Sequence, residues 1–220
     1  MVQTSQKQVT YPESDGKPMA DNTIQFRWIS TIVWNLKAMF ANEPNVFVAG
    51  DLFWYPVEGK PDIKAAPDSM VVFGRSQGDR GSYQQWNEDG IAPQVVFEIL
   101  LPSNTLKENA KKFDFYLDYE VEEYYLYDPY NDDLAIWLRQ GAKLEVVEQV
   151  DGFISPRLNI RFQLEPGPLK IYRPDGTVFL TPQETEERAV KAEARASRAE
   201  NRANLLADKL KELGIDPDSV

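Results

Sequence analysis

The 220-residue sequence contains no cysteine and no histidine. The first absence excludes disulfides, thiolate nucleophiles and sulfur-ligated zinc. The second excludes a Ser-His-Asp triad and imidazole ligands. Any bound metal is therefore held by oxygen, which selects Mg²⁺, Mn²⁺ or Ca²⁺, and any general base is Asp, Glu, Lys or Tyr. No apolar run approaches the ~20 residues of a membrane-crossing helix, and the opening MVQTSQKQVTYPESDG lacks a signal-peptide core. These absences predict a cytoplasmic protein without membrane association. Positive charge is also scarce: 24 Lys and Arg stand against 35 Asp and Glu, a net charge of −11. That balance suits nucleic acid poorly, because such binding draws on Lys and Arg at the phosphates.

Apolar residues make up 42% of the chain, enough for a core. The length suits one main domain with an appendage, and the change in pattern near Pro182 puts the boundary between 1–181 and 182–220. Residues 1–20 read as an extended lead-in. Asp21 or Asn22 can cap a helix whose apolar positions Ile24, Trp28, Ile32, Leu36 and Met39 keep the helical period. Strand-like runs follow at 46–50, 51–56 and 70–74. The segment RSQGDRGSYQQWNEDGIAP, 75–93, is too long and too aromatic for a simple turn.

VVFEIL, 95–100, reads as a strand buried on both faces. A helix over about 105–119 follows, with Thr105 and Glu108 in capping-box spacing and Leu106, Ala110, Phe113 and Leu117 as its apolar face. Alternating runs at 123–129, 134–139 and 143–150 predict further strands, with shorter candidates to about 180. This order predicts an α+β fold: a mixed sheet flanked by helices.

From Pro182 onward neither Gly nor Pro interrupts the chain up to Leu213. Ala189, Ala192, Ala196, Ala199, Ala203, Leu206, Leu210 and Leu213 alternate in steps of three and four, a heptad seam on a coiled-coil-like helix. The seam predicts a homodimer or a partner helix; the alternative is a solvated helix rich in Ala, Glu and Arg.

Two acids stand against apolar runs: Asp68 in AAPDSMVVFG, 65–74, and Glu98 in PQVVFEILLPSN, 93–104. An unpaired carboxylate in a dry interior costs several kcal/mol, so such a group protonates, pairs with a cation or binds a metal. Glu98 could simply sit at a strand end with a surface cation. If Asp68 and Glu98 face the same side, their oxygens can share one divalent cation, with the Ile99 carbonyl as a third ligand. On the following helix Glu108, Lys112 and Tyr116 share a face, so Lys112 can return over Glu98 to orient water and offset phosphate charge. An ordinary solvated lysine is the alternative, and Lys111 competes for the role. Arg75 and Arg80 are candidate phosphate contacts. Tyr83 and Trp86 either stack on bases or cover the sheet edge, with packing the preferred reading, and Asp51 is read as a strand-end acid in preference to a further acid of the site.

These motifs, with YPESDGKPMADNTIQFRW, VFVAGDLFWYPVEGKP, RGSYQQWNEDG and KKFDFYLDYEVEEYYLYDP, resemble the Uma-type restriction-endonuclease family abundant in cyanobacteria, a branch of the PD-(D/E)XK nuclease superfamily. The charged helical tail ending KLKELGIDPD resembles it too. The resemblance implies a restriction-endonuclease-like core, an Mg²⁺ or Mn²⁺ site and hydrolysis of DNA. By position, Asp68 matches the Pro-Asp motif and Glu98 the acid of (D/E)-x-K. The lysine two places on is replaced by Leu100, and Lys112, in K-x-x-x-Y with Tyr116, matches a lysine displaced to the next helix. The other reading is a catalytically silent dimeric scaffold that keeps the nuclease fold, which the net charge favours.

Overall fold

A computed structural model describes residues 9–14, 16, 22–164, 167–212 and 216. Helix α1, Thr23–Met39, is capped by Asn22, whose side chain accepts from the backbone N–H groups of Ile24 and Gln25. Its buried face carries Gln25, Ile29, Thr31, Ile32, Asn35 and Leu36. The predicted period is therefore right at Ile32 and Leu36, while Ile24, Trp28 and Met39 flank the stripe and are only partly covered.

Six strands form the main sheet: β1 (Val46–Ala49), β3 (Ser69–Phe73), β5 (Val95–Ile99), β6 (Glu123–Asp128), β7 (Asp133–Gln140) and β8 (Lys143–Val146), hydrogen-bonded in the order β1-β3-β5-β6-β7-β8. All neighbours are antiparallel except β5 and β6. A parallel pair requires a long crossover, and helix α2, Leu106–Asp118, supplies it. Two-stranded pairs complete the architecture. β2 (Trp54–Tyr55) lies parallel to β4 (Tyr83–Gln84), and β9 (Arg161–Gln163) lies antiparallel to β10 (Lys170–Tyr172). The run predicted as a strand at 51–56 thus contributes only two residues, outside the main sheet. The long segment 75–93 is ordered by β4 and a short 3-10 turn, Gln85–Asn87.

Strand alternation divides the interior into two cores. Val95, Phe97 and Ile99 of β5 face Ile29, Ile32 and Leu36 of α1 together with Phe162 and Ile171. Val96, on the other face, packs with Trp54, Tyr83, Tyr116 and Tyr124. Each fully buried aliphatic or aromatic side chain contributes about 1.5–3 kcal/mol, so the two layers clamp β5 from both sides.

On α2 the burial differs from the sequence expectation. Leu106 is 90% exposed and Ala110 is exposed as well. The covered residues are Asn109, Lys112, Phe113, Phe115, Tyr116 and Leu117, and Tyr116 is fully buried. Leu106 stands at the first helical position, where the helix has not yet reached the sheet.

The chain divides into two compact units, Met1–Phe179 and Leu180–Val220. In the second, helix α3, Pro182–Glu212, has no buried residue among those described. Thr181 caps it in a reciprocal box: its Oγ1 accepts from Glu184 N at 3.1 Å while Glu184 Oε2 accepts from Thr181 N at 2.8 Å. Leu213 of the predicted seam lies outside the described residues, as do parts of the predicted lead-in. No described helix is long and apolar enough to cross a membrane.

Candidate active site

Strands β3 and β5 run antiparallel with Ser69 opposite Phe97 and Met70 opposite Val96. Continuing that register by one residue sets Asp68 opposite Glu98, on the α2 face of the sheet. Asp68 is 7% exposed and Glu98 is 2% exposed. The sequence expectation that two acids meet is therefore met by pairing geometry rather than by nearness in the chain.

Four neighbours hold the pair. Asp68 Oδ2 accepts the Ile99 backbone N–H at 2.6 Å, and Oδ1 accepts Gln25 Nε2 at 3.3 Å. Lys112 Nζ donates to Glu98 Oε2 at 2.6 Å, and the Tyr116 hydroxyl donates to Glu98 Oε1. Both donors come from α2 because the helix starts from a full capping box. There Thr105 N donates to Glu108 Oε2 at 2.8 Å and Thr105 Oγ1 accepts from Glu108 N at 3.2 Å. Lys112 and Tyr116, one turn apart, then descend on the same carboxylate. Glu108, predicted on that face, is used as the cap. Lys111 is exposed and Lys112 partly covered, so of the two candidate lysines the structure brings Lys112 to Glu98.

The electrostatics follow from this packing. Burial, then the adjacent Glu98, pushes the Asp68 carboxyl up to about 8, against smaller opposing contributions from Lys112, the Ile99 N–H and Gln25. Burial pulls the Lys112 ammonium down, but Glu98 and Asp68 outweigh it and the net direction is upward, so Lys112 stays charged. The hydroxyls of Tyr116 and Tyr124 are held above the usual phenol value by burial and then by Glu98, so both remain neutral. Trp54 stacks on Tyr116, with ring centroids 6.5 Å apart and planes 6° from parallel, and this fixes the hydroxyl that touches Glu98.

Gly50 lets the end of β1 approach the site. A Cβ there would lie 2.7 Å from Val33 Cγ2 and 3.1 Å from the Asp68 carbonyl oxygen. Only a hydrogen leaves that space open.

The remaining candidates are placed as follows. Arg75 pairs with Glu88 at 3.1 Å and with Asp89. Arg80 is bidentate on Glu88 at 2.6 and 3.2 Å, with its guanidinium 3.9 Å from the Phe47 ring centroid. Reaching a phosphate would require either arginine to exchange these partners. Tyr83 is fully buried, donates to the Ile91 carbonyl at 2.8 Å and stacks on Phe47. Trp86 lies 4.9 Å from Tyr11, ring to ring. Asp51 has φ 49° at a strand end.

Gln25 and Tyr124 were not anticipated. Gln25 carried a legible signal, as a polar residue on the apolar stripe of α1. Tyr124 follows from the alternation of β6. A third buried acid, Glu123, lies outside the predicted site. It is 2% exposed and accepts from Ser155 Oγ at 2.5 Å, Arg157 N at 2.6 Å and the Tyr125 hydroxyl at 2.7 Å. Three neutral donors satisfy it without a cation. A cleft of about 1330 Å³ is lined by residues that include Glu122, Glu123, Arg139 and Arg157, and not by Asp68 or Glu98. Arg139 there is committed to the carbonyls of Tyr116, Leu117 and Val121, so size alone does not make that cleft the reactive one.

The donor set can be tested against a metal. Among the described residues no group of three or more carboxylates is placed to hold one. Two opposed carboxylates, with Asp68 raised by burial and then by Glu98, still fit Mg²⁺ or Mn²⁺, since Mg²⁺ is usually held by one or two carboxylates and completed by water and phosphate oxygens.

Comparison with known proteins bears on the same region. A family model described as "Uma2: Putative restriction endonuclease" matches residues 15–167, which include Asp68, Glu98 and Lys112. A solved structure, a "putative nuclease belonging to DUF820" from Anabaena variabilis ATCC 29413, matches with a TM-score of 0.49 and 16% identity, over 70% of this chain and 86% of that one. No curated protein matches.

Proposed function

This chain belongs to the Uma2 restriction-endonuclease-like family, and from that premise we propose that it is a cytoplasmic, Mg²⁺- or Mn²⁺-dependent endonuclease that hydrolyses DNA phosphodiester bonds. One observation carries the reading: the register sets Asp68 against Glu98, and α2 lays the Lys112 ammonium 2.6 Å from Glu98 Oε2.

In this reading Asp68, Glu98 and the carbonyl oxygen of Ile99 would hold the metal. When bound, the ion polarises a phosphoryl oxygen and lowers the pKa of a coordinated water. The chain's own groups do the rest. Gln25 and the Ile99 N–H aim the Asp68 carboxylate. Tyr116 fixes Glu98 and leaves its other oxygen to Lys112. Lys112, held charged by the two acids, orients the attacking water and offsets charge that grows on the phosphate. The substrate's negative charge would be met by this ammonium and the metal, because the chain as a whole carries −11.

That net charge favours a second reading, a nuclease-fold scaffold without turnover. Incubation with supercoiled plasmid and Mn²⁺ or Mg²⁺ separates the two. Nicking by wild type that falls at least about a hundredfold in Glu98→Gln supports the nuclease. Equal nicking by both, or none by a wild type shown to bind metal, supports the scaffold.

A further inference from the structure

The second unit carries a surface the nuclease reading leaves unused. On α3 the apolar residues Ala189, Ala192, Ala196, Ala199 and Ala203 are all exposed, and Leu206 is 54% exposed. Steps of three and four admit one heptad frame: Ala189, Ala196, Ala203 and Leu210 take position a, and Ala192, Ala199 and Leu206 take position d. The flanking positions then sort by charge. Every g position is basic (Arg188, Arg195, Arg202, Lys209), while the e positions are Glu193, Glu200 and the uncharged Ala207. None of Arg188, Arg195, Glu193 and Glu200 joins an ion pair among the described residues. The ion pair within α3 is Lys191 with Glu187, both off the seam.

We propose that α3 pairs with α3 of a second copy as a parallel, in-register coiled coil. In a parallel pair each g residue faces the e residue of the next heptad on the other helix. Arg188 then meets Glu193 and Arg195 meets Glu200, each twice by symmetry, and all four pairs attract. In an antiparallel pair g faces g and e faces e, so Arg would meet Arg and Glu would meet Glu. The charges therefore choose both the occupant, an identical helix, and its direction. Alanine along most of the seam brings the helices close but buries little area, so the dimer is weak and forms at micromolar concentration or above. Each α3 is preceded in its chain by the candidate nuclease unit, so the dimer carries two such units.

The test uses the full chain. Sedimentation of wild type from about 1 to several hundred micromolar shows a reversible dimer. Arg188→Glu with Arg195→Glu sets acid against acid in these four pairs, and Glu193→Arg with Glu200→Arg sets base against base. Each variant alone raises the dimer dissociation constant by about tenfold or more, and mixing the two restores dimer as a heterodimer. Direction is read from Ala192→Cys, which is clean because the chain has no other cysteine. In the parallel pair the two sulfurs meet and oxidation crosslinks the dimer. In an antiparallel pair centred on α3 they sit roughly 16 Å apart at 1.5 Å per residue, beyond disulfide reach. A monomeric wild type throughout the range, which would leave the seam to another partner, overturns the proposal. So does a dimer indifferent to the charge exchanges, or one that persists without crosslinking.

Discussion

Replacing Asp68 by Asn should make the metal-free protein more stable while removing its capacity for metal. Asp68 is nearly buried, faces Glu98 and has its carboxyl pushed up to about 8, against about 4 in an unfolded chain. Each decade of proton affinity is worth about 1.4 kcal/mol, so the four decades set a ceiling of roughly 5–6 kcal/mol on what the folded protein loses by ionising this group. A carboxyl whose folded value is raised favours folding below the unfolded value, and that advantage is lost as pH climbs from about 4 to about 8. Asparagine cannot ionise, keeps an acceptor for the Ile99 N–H and asks only that Gln25 turn its amide. With part of the ceiling lost to reorganisation, Asp68→Asn should gain about 2–3 kcal/mol at pH 8, or roughly 5–10 °C in Tm for a domain of this size. Melts by circular dichroism at pH 4, 6 and 8 in EDTA should show the gain vanish at pH 4 and grow toward pH 8. Added Mg²⁺ should raise the Tm of wild type and leave the variant unmoved. A variant no more stable than wild type at pH 8, or a gain independent of pH, would refute the claim that burial of Asp68 beside a second carboxylate strains this site.

Other expectations follow from the same contacts. Lys112→Met leaves Glu98 without its cation and should cost about 1–2 kcal/mol, less than a fully buried pair because Lys112 is partly exposed; Lys111→Met should leave the denaturation midpoint unchanged. Tyr116→Phe removes the hydroxyl donor on Glu98 Oε1 and should cost about 1–2 kcal/mol by urea titration, with weaker metal affinity as the sign that Glu98 has lost its orientation. Gly50→Ala forces a methyl against Val33 and the Asp68 carbonyl and should destabilise by about 1–3 kcal/mol, again with weakened metal binding; a stability equal to wild type would mean the contact relaxes freely.

How much of this was legible varies by residue. VVFEIL read as a doubly buried strand because both of its faces are apolar, and β5 is one. Thr105 with Glu108 read as a helix start, and the capping box is there. Asp68 and Glu98 could be suspected from charges set against apolar runs. Their meeting depended on the β3–β5 register, which no local pattern states. Leu106 misled because helical spacing marks a face without saying where along its length the sheet begins to cover it. Gln25 reaches Asp68 across 43 positions of sequence, a contact that only tertiary packing creates. Arg75 and Arg80 looked like free cations in sequence, whereas the fold turns Glu88 and Asp89 back onto them.

The most direct measurement is anomalous diffraction from crystals soaked in Mn²⁺. One strong peak is expected within coordination distance, about 2.0–2.6 Å, of carboxylate oxygens from both Asp68 and Glu98, absent from Glu98→Gln crystals treated alike. A saturating soak that leaves no density between these two side chains, or places manganese elsewhere, would contradict it.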